Sequence, residues 1–267
     1  MAIPKRVLER LVSGLKAMRP IIEQQRARDV SEADTVTLVK DLMADAFGYD
    51  KYAELTSEHA VRGTYCDLAV KLDGKLVQLI EVKAVGIELD DRHVKQAVDY
   101  ASNQGCEWVT LTNGRVWRLY HVIFAKPIDK QLVAEIDLLT ADLRSEAGQE
   151  RLYMLTKEGF RKGAHVELRD KQQAMSRYVL GALILGNESV LGCIRRELRR
   201  VVDVNVDEGE IASVLRDQVI KRDCFEGPEA EAAARRVARR AERSLKAKVD
   251  STESVLARSA PVAAPVE

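Results

Sequence analysis

Apolar positions recur at helical spacing in the first part of the chain. Residues 4–28 carry apolar side chains three and four positions apart, which predicts a helix that Pro20 is expected to kink or break. Ser31, followed three residues later by Asp34, predicts the N-terminal cap of a second helix, and Gly48 is expected to end it. The chain therefore opens with two amphipathic helices.

Strand patterns follow these helices. Residues 53–60, 64–72 and 75–83 are rich in apolar and β-branched side chains, which predicts three strands. Asp73 and Gly74 separate the last two, and Asp-Gly favours a type I′ hairpin turn because both central positions need a positive φ. The last two strands are therefore expected to pair as a hairpin.

A helix and two more strands complete the predicted sheet. The helix is predicted over residues 90–104, and the strands over 107–112 and 116–123. Asn113-Gly114 between the two strands is again a hairpin signal. The order helix, three strands, helix, two strands predicts an α/β domain with a mixed sheet.

The pattern becomes helical after residue 140. Asp207 and Glu210 are spaced as a capping box for the last of these helices. The predicted helices are 142–160, 165–185, 187–202 and 208–222, with a charged helix over 229–249. The predicted divisions are an N-terminal helix (1–30), an α/β domain (31–138), a helical domain (139–226), and a charged helix with a disordered tail (227–267).

Composition and charge add few constraints. The 267 residues contain 42 Lys plus Arg and 42 Asp plus Glu, so net charge gives no general attraction to nucleic acid or membranes. The chain shows no signal peptide, and its longest apolar stretch (178–186) is far shorter than a membrane span. We therefore expect a cytoplasmic protein that does not bind membranes.

The cysteines do not form a metal-binding pattern. None of the four has the C-x-x-C spacing of a zinc site, so we expect no such site. Their neighbours are apolar, and we interpret all four as reduced thiols in the core. They are Cys66, Cys106, Cys193 and Cys224.

The candidate chemistry lies on the predicted hairpin. Asp67 on one strand and Glu81 and Lys83 on the next can meet near one end of the sheet, since residues two apart share a strand face. Two carboxylates suffice for Mg²⁺, which keeps several waters, and the carbonyl of Val82 can add a third oxygen. Lys83 can stabilise a developing phosphoryl anion or, with a lowered pKa, act as a base. This combination suggests a metal-dependent nuclease, with Mn²⁺ as a substitute for Mg²⁺.

A simpler interpretation remains open. A Glu-x-Lys sequence by itself carries little weight, and taken alone it is better explained as a solvated ion pair at the end of a strand. Glu81, however, directly follows the apolar run 76–80, and Asp67 lies among apolar neighbours. Charges at the border of a buried strand need partners or a metal ion.

The segment from Ser31 to His121 resembles the N-terminal nuclease domain of type I restriction enzyme R subunits, a branch of the PD-(D/E)xK superfamily. The resemblance covers about a third of the chain, and it is more specific than the Asp…Glu-x-Lys motif alone. It depends on these residues in order: Glu32, Phe47-Gly48-Tyr49-Asp50, Asp67, Glu81-Val82-Lys83, helix 94–101 with Gln96, and Leu111-Thr112-Asn113-Gly114 with Trp117 and Tyr120.

The resemblance implies a role for each matching residue. Asp67 and Glu81 would be metal ligands and Lys83 the catalytic amine, while Glu32 would be an auxiliary carboxylate and Gln96 an accessory residue at the DNA or the site. Glu32 is equally well explained as a first-turn acid favoured by the helix dipole, and Gln96 as a solvated residue. Four further residues are interpreted structurally: Asn113 and Gly114 as turn formers, Trp117 and Tyr120 as packing residues.

The chain departs from the family pattern in two respects. Cys66 stands where a proline often precedes the superfamily's aspartate. The R subunits also carry an ATP-driven translocase after the nuclease, and this chain contains none. We therefore expect any motor or specificity subunit to be a separate partner.

Two basic clusters are candidate DNA-binding surfaces. Helical spacing brings several members of the first cluster to one face, although such runs are more often simply solvated. The second runs from Arg235 to Lys248. The first cluster consists of Arg195, Arg196, Arg199 and Arg200.

Three functions remain in competition. We favour a Mg²⁺-dependent DNA endonuclease with an α/β core that resembles restriction endonucleases, and family resemblance alone suggests a role in restriction or defence. The first alternative is a DNA- or protein-binding module on an inactive nuclease fold. The second is an assembly protein that forms homo-oligomers through its helical region.

Overall fold

A computed structural model describes residues 2–61 and 64–240 of the chain. Its centre is one six-stranded mixed sheet with the strands in chain order. The third and fourth strands are parallel, and every other neighbouring pair is antiparallel. The strands are β1 Leu55–Val61, β2 Thr64–Leu72, β3 Lys75–Val82, β4 Trp108–Thr112, β5 Val116–Ile123 and β6 Asp129–Asp137.

Ten α-helices surround or follow this sheet within the described residues. The first three are α1 Lys5–Ala27, α2 Glu32–Asp41 and α3 Asp91–Gln104, and a π-helical turn, Leu42–Ala46, extends α2. The others are α4 Glu146–Tyr153, α5 Lys157–Arg161, α6 Ala164–Ala174, α7 Arg177–Gly186, α8 Glu188–Val202 and α9 Glu208–Val214. A further helix runs from residue 228 to residue 240, where the described part ends.

Most local signals act as the sequence predicts. Pro20 is an exception, because it lies inside α1 without ending it, so the predicted break is wrong. The Ser31 hydroxyl accepts a hydrogen bond from the Asp34 amide and caps α2, and Asp207 and Glu210 form the capping box of α9. Asp73 and Gly74 have φ values of 52° and 76°, as a type I′ turn requires.

The sheet separates two hydrophobic cores, because alternate residues of each strand point to opposite faces. On one face, Leu68 and Ile80 pack in a core with α1, α2 and the helices after β6. On the other face, Ala69 and Leu79 pack in a core with α3. The mixed α/β class is therefore confirmed, with helices on both sides of the sheet.

The predicted number of strands is wrong, since β6 adds a sixth. Only the middle of β6 is buried, and charged residues occupy both of its ends. Its charges find partners across the sheet: Arg115 pairs with Asp137, and Arg118 with Glu135. Pairing with β5, rather than an apolar pattern of its own, makes this segment a strand.

Two predicted long helices are each divided in the structure. Residues 142–160 form α4 and α5, because the Thr156 hydroxyl accepts a hydrogen bond from the Gly159 amide and caps a new helix. Residues 165–185 form α6 and α7, with Ser176 as the cap. Ser and Thr inside an apolar pattern were the local signal for both breaks.

The chain forms two compact units, one up to Arg169 and one from Asp170 onward. The first unit extends beyond residue 138 because residues 139–169 pack on its core: Leu152, Leu155 and Phe160 are buried there. Arg19 of α1 also donates hydrogen bonds to the carbonyls of Leu138 and Ala141.

The second unit is all-helical over its described residues, in agreement with the predicted C-terminal helical region. No single described helix has the length and apolar character needed to cross a membrane; α7 and α8 pass that test only as a pair bent by 66°. Part of the predicted charged helix, including Arg243, Lys246 and Lys248, and the predicted disordered tail lie outside the described residues.

The cysteines do not all occupy the core. Cys66 and Cys106 are buried, as predicted, but Cys193 is exposed and Cys224 is partly exposed. Cys193 lies on the solvent side of α8, where the apolar neighbours in sequence belong to the opposite helix face. The prediction of four core thiols is therefore wrong for these two.

Candidate active site

Three predicted site residues lie at the ends of two paired strands. Leu68 of β2 pairs with Ile80 of β3, so the next residues along each strand, Asp67 and Glu81, occupy neighbouring positions at one end of this strand pair. Lys83 follows the last residue of β3 and shares the parity of Glu81. The hairpin predicted from Asp73-Gly74 thus places two carboxylates and an amine together.

Lys83 connects two carboxylates from different elements. Its Nζ lies 2.8 Å from Glu81 Oε1 and 3.3 Å from Glu32 Oε2. Glu32 is the first residue of α2, directly after the Ser31 cap. The structure therefore brings Glu32, Glu81 and Lys83 into one ion-pair cluster, although Glu32 is 51 positions from Lys83 in sequence.

Glu81 is a buried carboxylate, with 9 % of its side chain exposed. Burial raises its pKa, the hydrogen bond from Lys83 opposes that effect, and the negative charge of Asp67 raises it further. The net direction is upward. The site thus has a surplus of negative charge, which a cation would relieve.

The Lys83 ammonium stays charged. Burial lowers its pKa, but the hydrogen bond to Glu81 and the charges of Glu81 and Glu32 outweigh burial and raise the net pKa. The lowered pKa that a general base would need is therefore not found here. The geometry favours an ammonium that stabilises negative charge on a bound phosphate.

Asp67 is held by the backbone of the neighbouring strand. Its Oδ2 accepts a hydrogen bond of 2.7 Å from the amide of Val82. This bond fixes one carboxylate oxygen of Asp67 beside β3 and directs the side chain toward Glu81. The negative charge of Asp67 raises the pKa of Glu81. Val82 itself is fully buried, between the two site residues Glu81 and Lys83.

Gln96 lies on the exposed side of α3. It lines a shallow surface groove of about 330 Å³ together with five other residues of the same helix. The other five are Arg92, Lys95, Asp99, Tyr100 and Asn103. Gln96 thus occupies a polar helix face, while Glu32, Glu81 and Lys83 form the ion-pair cluster.

The cluster is rich in carboxylates. Glu32 and Glu81 contact the Lys83 ammonium, and the charge of Asp67 raises the pKa of Glu81, so the formal charge of these four residues is two negative units when all are ionised. Among the described residues, no group of three or more His, Cys, Asp or Glu side chains is arranged to hold a metal ion. An open pair of carboxylates is nevertheless what Mg²⁺ needs, because it keeps several of its own waters.

Sequence reasoning missed the anchoring of the loop after β3. This segment, residues 84–90, is called the β3–α3 loop below. Thr35, Asn113 and Arg118 donate or accept hydrogen bonds at its backbone. Asn113 was interpreted as a turn former, and nothing in its Asn-Gly context distinguishes that role from a second one. Trp117 and Tyr120, predicted to be packing residues, are indeed buried.

The four arginines of the first basic cluster lie on α8, in the second unit, and all are exposed. Arg195 is 3.5 Å from Glu208, and Arg200 is 2.6 Å from Glu197. Arg196 and Arg199 make no ion pair within the described part of the chain. These last two are the cluster's candidates for contact with phosphates.

Comparison with known proteins gives one match. No curated protein and no solved structure matches the chain. A family model matches residues 38–137, a little over a third of the chain, and this stretch includes Asp67, Glu81, Lys83 and Gln96 but not Glu32. Residues 38–137 therefore match the family described as type I restriction enzyme R protein N terminus (HSDR_N).

Proposed function

We propose that this chain is a Mg²⁺-dependent endodeoxyribonuclease whose α/β unit is a nuclease domain of the PD-(D/E)xK, restriction-endonuclease-like type. The observation that carries the proposal is the convergence of Asp67, Glu81 and Lys83 at the end of the β2–β3 pair, with Lys83 Nζ 2.8 Å from Glu81 Oε1. The family match over residues 38–137 supports it independently.

Each residue has a defined role in the proposed reaction. Asp67 and Glu81, with the Val82 carbonyl, would hold Mg²⁺, which when bound activates water and neutralises charge on the phosphoryl oxygens. The Lys83 ammonium would bind a non-bridging phosphate oxygen and stabilise the charge that develops on it. Glu32 would keep the ammonium oriented and charged, since it is the second carboxylate on Lys83.

DNA is the proposed substrate, and separate subunits are the proposed partners. The family description names a restriction enzyme, a class that acts on DNA, and the chain would supply the cleavage step. Gln96, on the exposed side of α3, would contact the DNA near the site. Modification, specificity or motor subunits would then be recruited from outside, in a restriction or defence role.

Plasmid cleavage tests this proposal. Purified protein is expected to convert supercoiled plasmid to nicked or linear DNA in Mg²⁺ or Mn²⁺, and EDTA is expected to abolish the conversion. Glu81→Gln and Lys83→Met should each reduce the rate at least about 100-fold, because each removes a charge required in the transition state.

A second ion pair supplies the matched control. Lys157 and Glu54 lie 2.6 Å apart in the same unit, and both side chains are at least three-quarters buried. Glu54→Gln should leave cleavage within about twofold of wild type, provided that the variant is folded. DNA retardation without cutting by the wild type would instead support the binding module, and the absence of both would support the assembly protein.

A further inference from the structure

The β3–α3 loop is anchored along its whole length by groups from other elements. Where β3 ends, the Lys83 amide donates to the Thr112 carbonyl at 2.8 Å. Within the loop, the Val85 amide donates to Thr35 Oγ1 at 3.1 Å. Two further bonds reach loop carbonyls: Asn113 Nδ2 to Ile87 at 2.8 Å and Arg118 Nη1 to Leu89 at 2.7 Å.

Both the oxygen and the nitrogen of the Asn113 side-chain amide form hydrogen bonds. Its Oδ1 accepts hydrogen bonds from the amides of Arg115 (3.1 Å) and Val116 (2.8 Å), which is the bonding that its own turn requires. Aspartate would satisfy that turn equally well. The Nδ2 donor to Ile87 is therefore what asparagine adds, and the side chain is 95 % buried where it makes this bond.

This anchoring is continuous with the proposed active site. Thr112 and Asn113 are consecutive, so one short segment holds the backbone of Lys83 and the carbonyl of Ile87. Thr35 lies one turn after Glu32 on α2, and its hydroxyl also accepts from Val85. The loop, the Lys83 backbone and the helix that carries Glu32 are thus joined by hydrogen bonds.

Apart from these anchors, the loop makes a backbone hydrogen bond of its own, from the Ile87 amide to the Ala84 carbonyl at 2.9 Å. Gly86, Ile87 and Glu88 are exposed, and only Val85 is buried in the core. An exposed segment without regular hydrogen bonding moves readily unless side chains restrain it. The Asn113 bond acts at the middle of this exposed stretch, where no strand or helix partner restrains the backbone.

We propose that Asn113 is a positioning residue: its NH₂ group fixes the β3–α3 loop and thereby the place of the Lys83 ammonium relative to Glu81. The inference rests on the proposed nuclease function. It gives Asn113 a role in the reaction beyond forming the β4–β5 turn. Small displacements of reacting groups are costly, since a misplacement of about 1 Å can slow a reaction on the order of 100-fold.

The test variant is Asn113→Asp, which keeps the Oδ1 acceptor and removes the Nδ2 donor. Cleavage kcat should fall about 10- to 100-fold while KM changes less than about threefold. Backbone amides of Gly86–Glu88 should exchange hydrogen faster than in wild type, and the variant should remain folded at the assay temperature although its buried carboxylate lowers the melting temperature. A loss of activity that only follows a loss of folded protein would overturn the inference.

Three further variants separate geometry from added charge. Gln149→Glu makes the same chemical change at an α4 amide that donates to the Leu143 carbonyl at 3.0 Å, outside the proposed site, and it should leave kcat within about twofold. Thr35→Val removes the Val85 anchor without adding charge and should lower kcat as Asn113→Asp does, while Thr35→Ser, which keeps the hydroxyl, should not.

The outcomes distinguish this inference from the proposed function. Wild-type protein that cuts DNA, together with folded Asn113→Asp and Thr35→Val variants that cut equally well, overturns the positioning role alone. Wild-type protein that cuts no DNA in Mg²⁺ or Mn²⁺ contradicts the proposed function and this inference with it.

Discussion

Glu81 shows at the scale of one residue how function and stability oppose each other. Its carboxylate is buried, close to the charge of Asp67, and its pKa is raised, so the ionised form is less stable in the folded protein than in the unfolded chain. Such a group destabilises the fold as the pH rises above the unfolded pKa of about 4.3. Active sites commonly reduce the stability of the fold in this way.

Glu81→Gln should therefore stabilise the metal-free protein while it abolishes cleavage. We expect a gain on the order of 1 kcal/mol near neutral pH in EDTA, because the amide removes a buried charge that repels Asp67. Denaturant melts of both proteins measure it. A clear loss of stability in EDTA would show that the Glu81–Lys83 ion pair outweighs burial.

His165 gives a prediction about pH. Its ring is 4 % exposed, stacks on Phe160 at 3.9 Å and meets the edge of Trp108 at 4.4 Å. Burial, with the charge of Arg169 adding to it, lowers the pKa of His165 to about 4. The folded state therefore holds the ring neutral where the unfolded chain binds a proton.

Because the unfolded chain binds this proton more readily than the folded protein, acid destabilises the fold. The neutral His165 contributes fully to the free energy of unfolding above the unfolded pKa of about 6.5, and up to about 3 kcal/mol is lost as the pH falls toward 4. His165→Phe should flatten the stability profile between these pH values. Equal slopes for the wild type and the variant in pH-dependent unfolding would contradict the buried neutral imidazole.

At the scale of elements, the junction of α1, α2 and α5 depends on one glycine. Arg10 donates to both carboxylate oxygens of Glu158, at 2.9 and 2.6 Å, and to the Phe47 carbonyl at 3.2 Å. Gly48 has a φ of 81°, and a Cβ there would lie 2.3 Å from Arg10 Cζ. The turn after α2 therefore needs glycine for its backbone conformation and for the space that Arg10 fills.

Gly48→Ala is expected to destabilise the protein by about 3 kcal/mol, from the left-handed backbone together with displaced Arg10 hydrogen bonds. Gly105→Ala is the matched control, because its φ is 65° and nothing lies within 4 Å of the added Cβ. That variant should lose only about 1 kcal/mol. Equal losses in denaturant melts would mean that Arg10 moves aside freely.

The elements that could be predicted from sequence are those with local signals. The Ser31 cap, the Asp73-Gly74 turn and the Asn113-Gly114 turn each mark a boundary through the chemistry of one or two residues. The strand β6 lacked such a signal, because its conformation depends on partners in β5. The breaks at Thr156 and Ser176 do have a local signal, a capping hydroxyl, but helical sequence continues on both sides of each, so the pattern alone does not divide the helices.

The same distinction applies to the candidate site. Spacing alone placed Glu81 and Lys83 on one strand face, and the hairpin turn placed Asp67 beside them. That Glu32 reaches Lys83 depends on how α2 packs on the sheet, and only the family resemblance pointed to it. The second role of Asn113 depends on a loop carbonyl four residues beyond Lys83, which no spacing rule connects to it.

At the scale of the whole molecule, the proposed catalytic residues all belong to the first unit, and the α8 arginines belong to the second. This division separates chemistry from the proposed backbone binding. Arg196→Gln combined with Arg199→Gln should weaken DNA binding at low salt and reduce the slope of log K against log salt by roughly 2. Binding of divalent cations should remain unchanged.

A second double variant, with two charges removed from another helix, controls for the change in net charge. Arg6→Gln with Lys16→Gln removes two exposed positive charges from α1 and should leave the salt slope nearly unchanged. Fluorescence anisotropy with a labelled duplex at several salt concentrations measures both pairs. An equal change of slope in the two double variants would contradict a specific role for α8.

The most direct test of the central claim is a Mn²⁺ titration of the full chain followed by electron paramagnetic resonance. We predict one site in the wild type whose affinity falls at least about tenfold in Asp67→Asn and in Glu81→Gln, and is unchanged in Glu54→Gln. Equal Mn²⁺ binding by the wild type and both carboxylate variants would contradict the claim that these two strands jointly hold a cation beside Lys83.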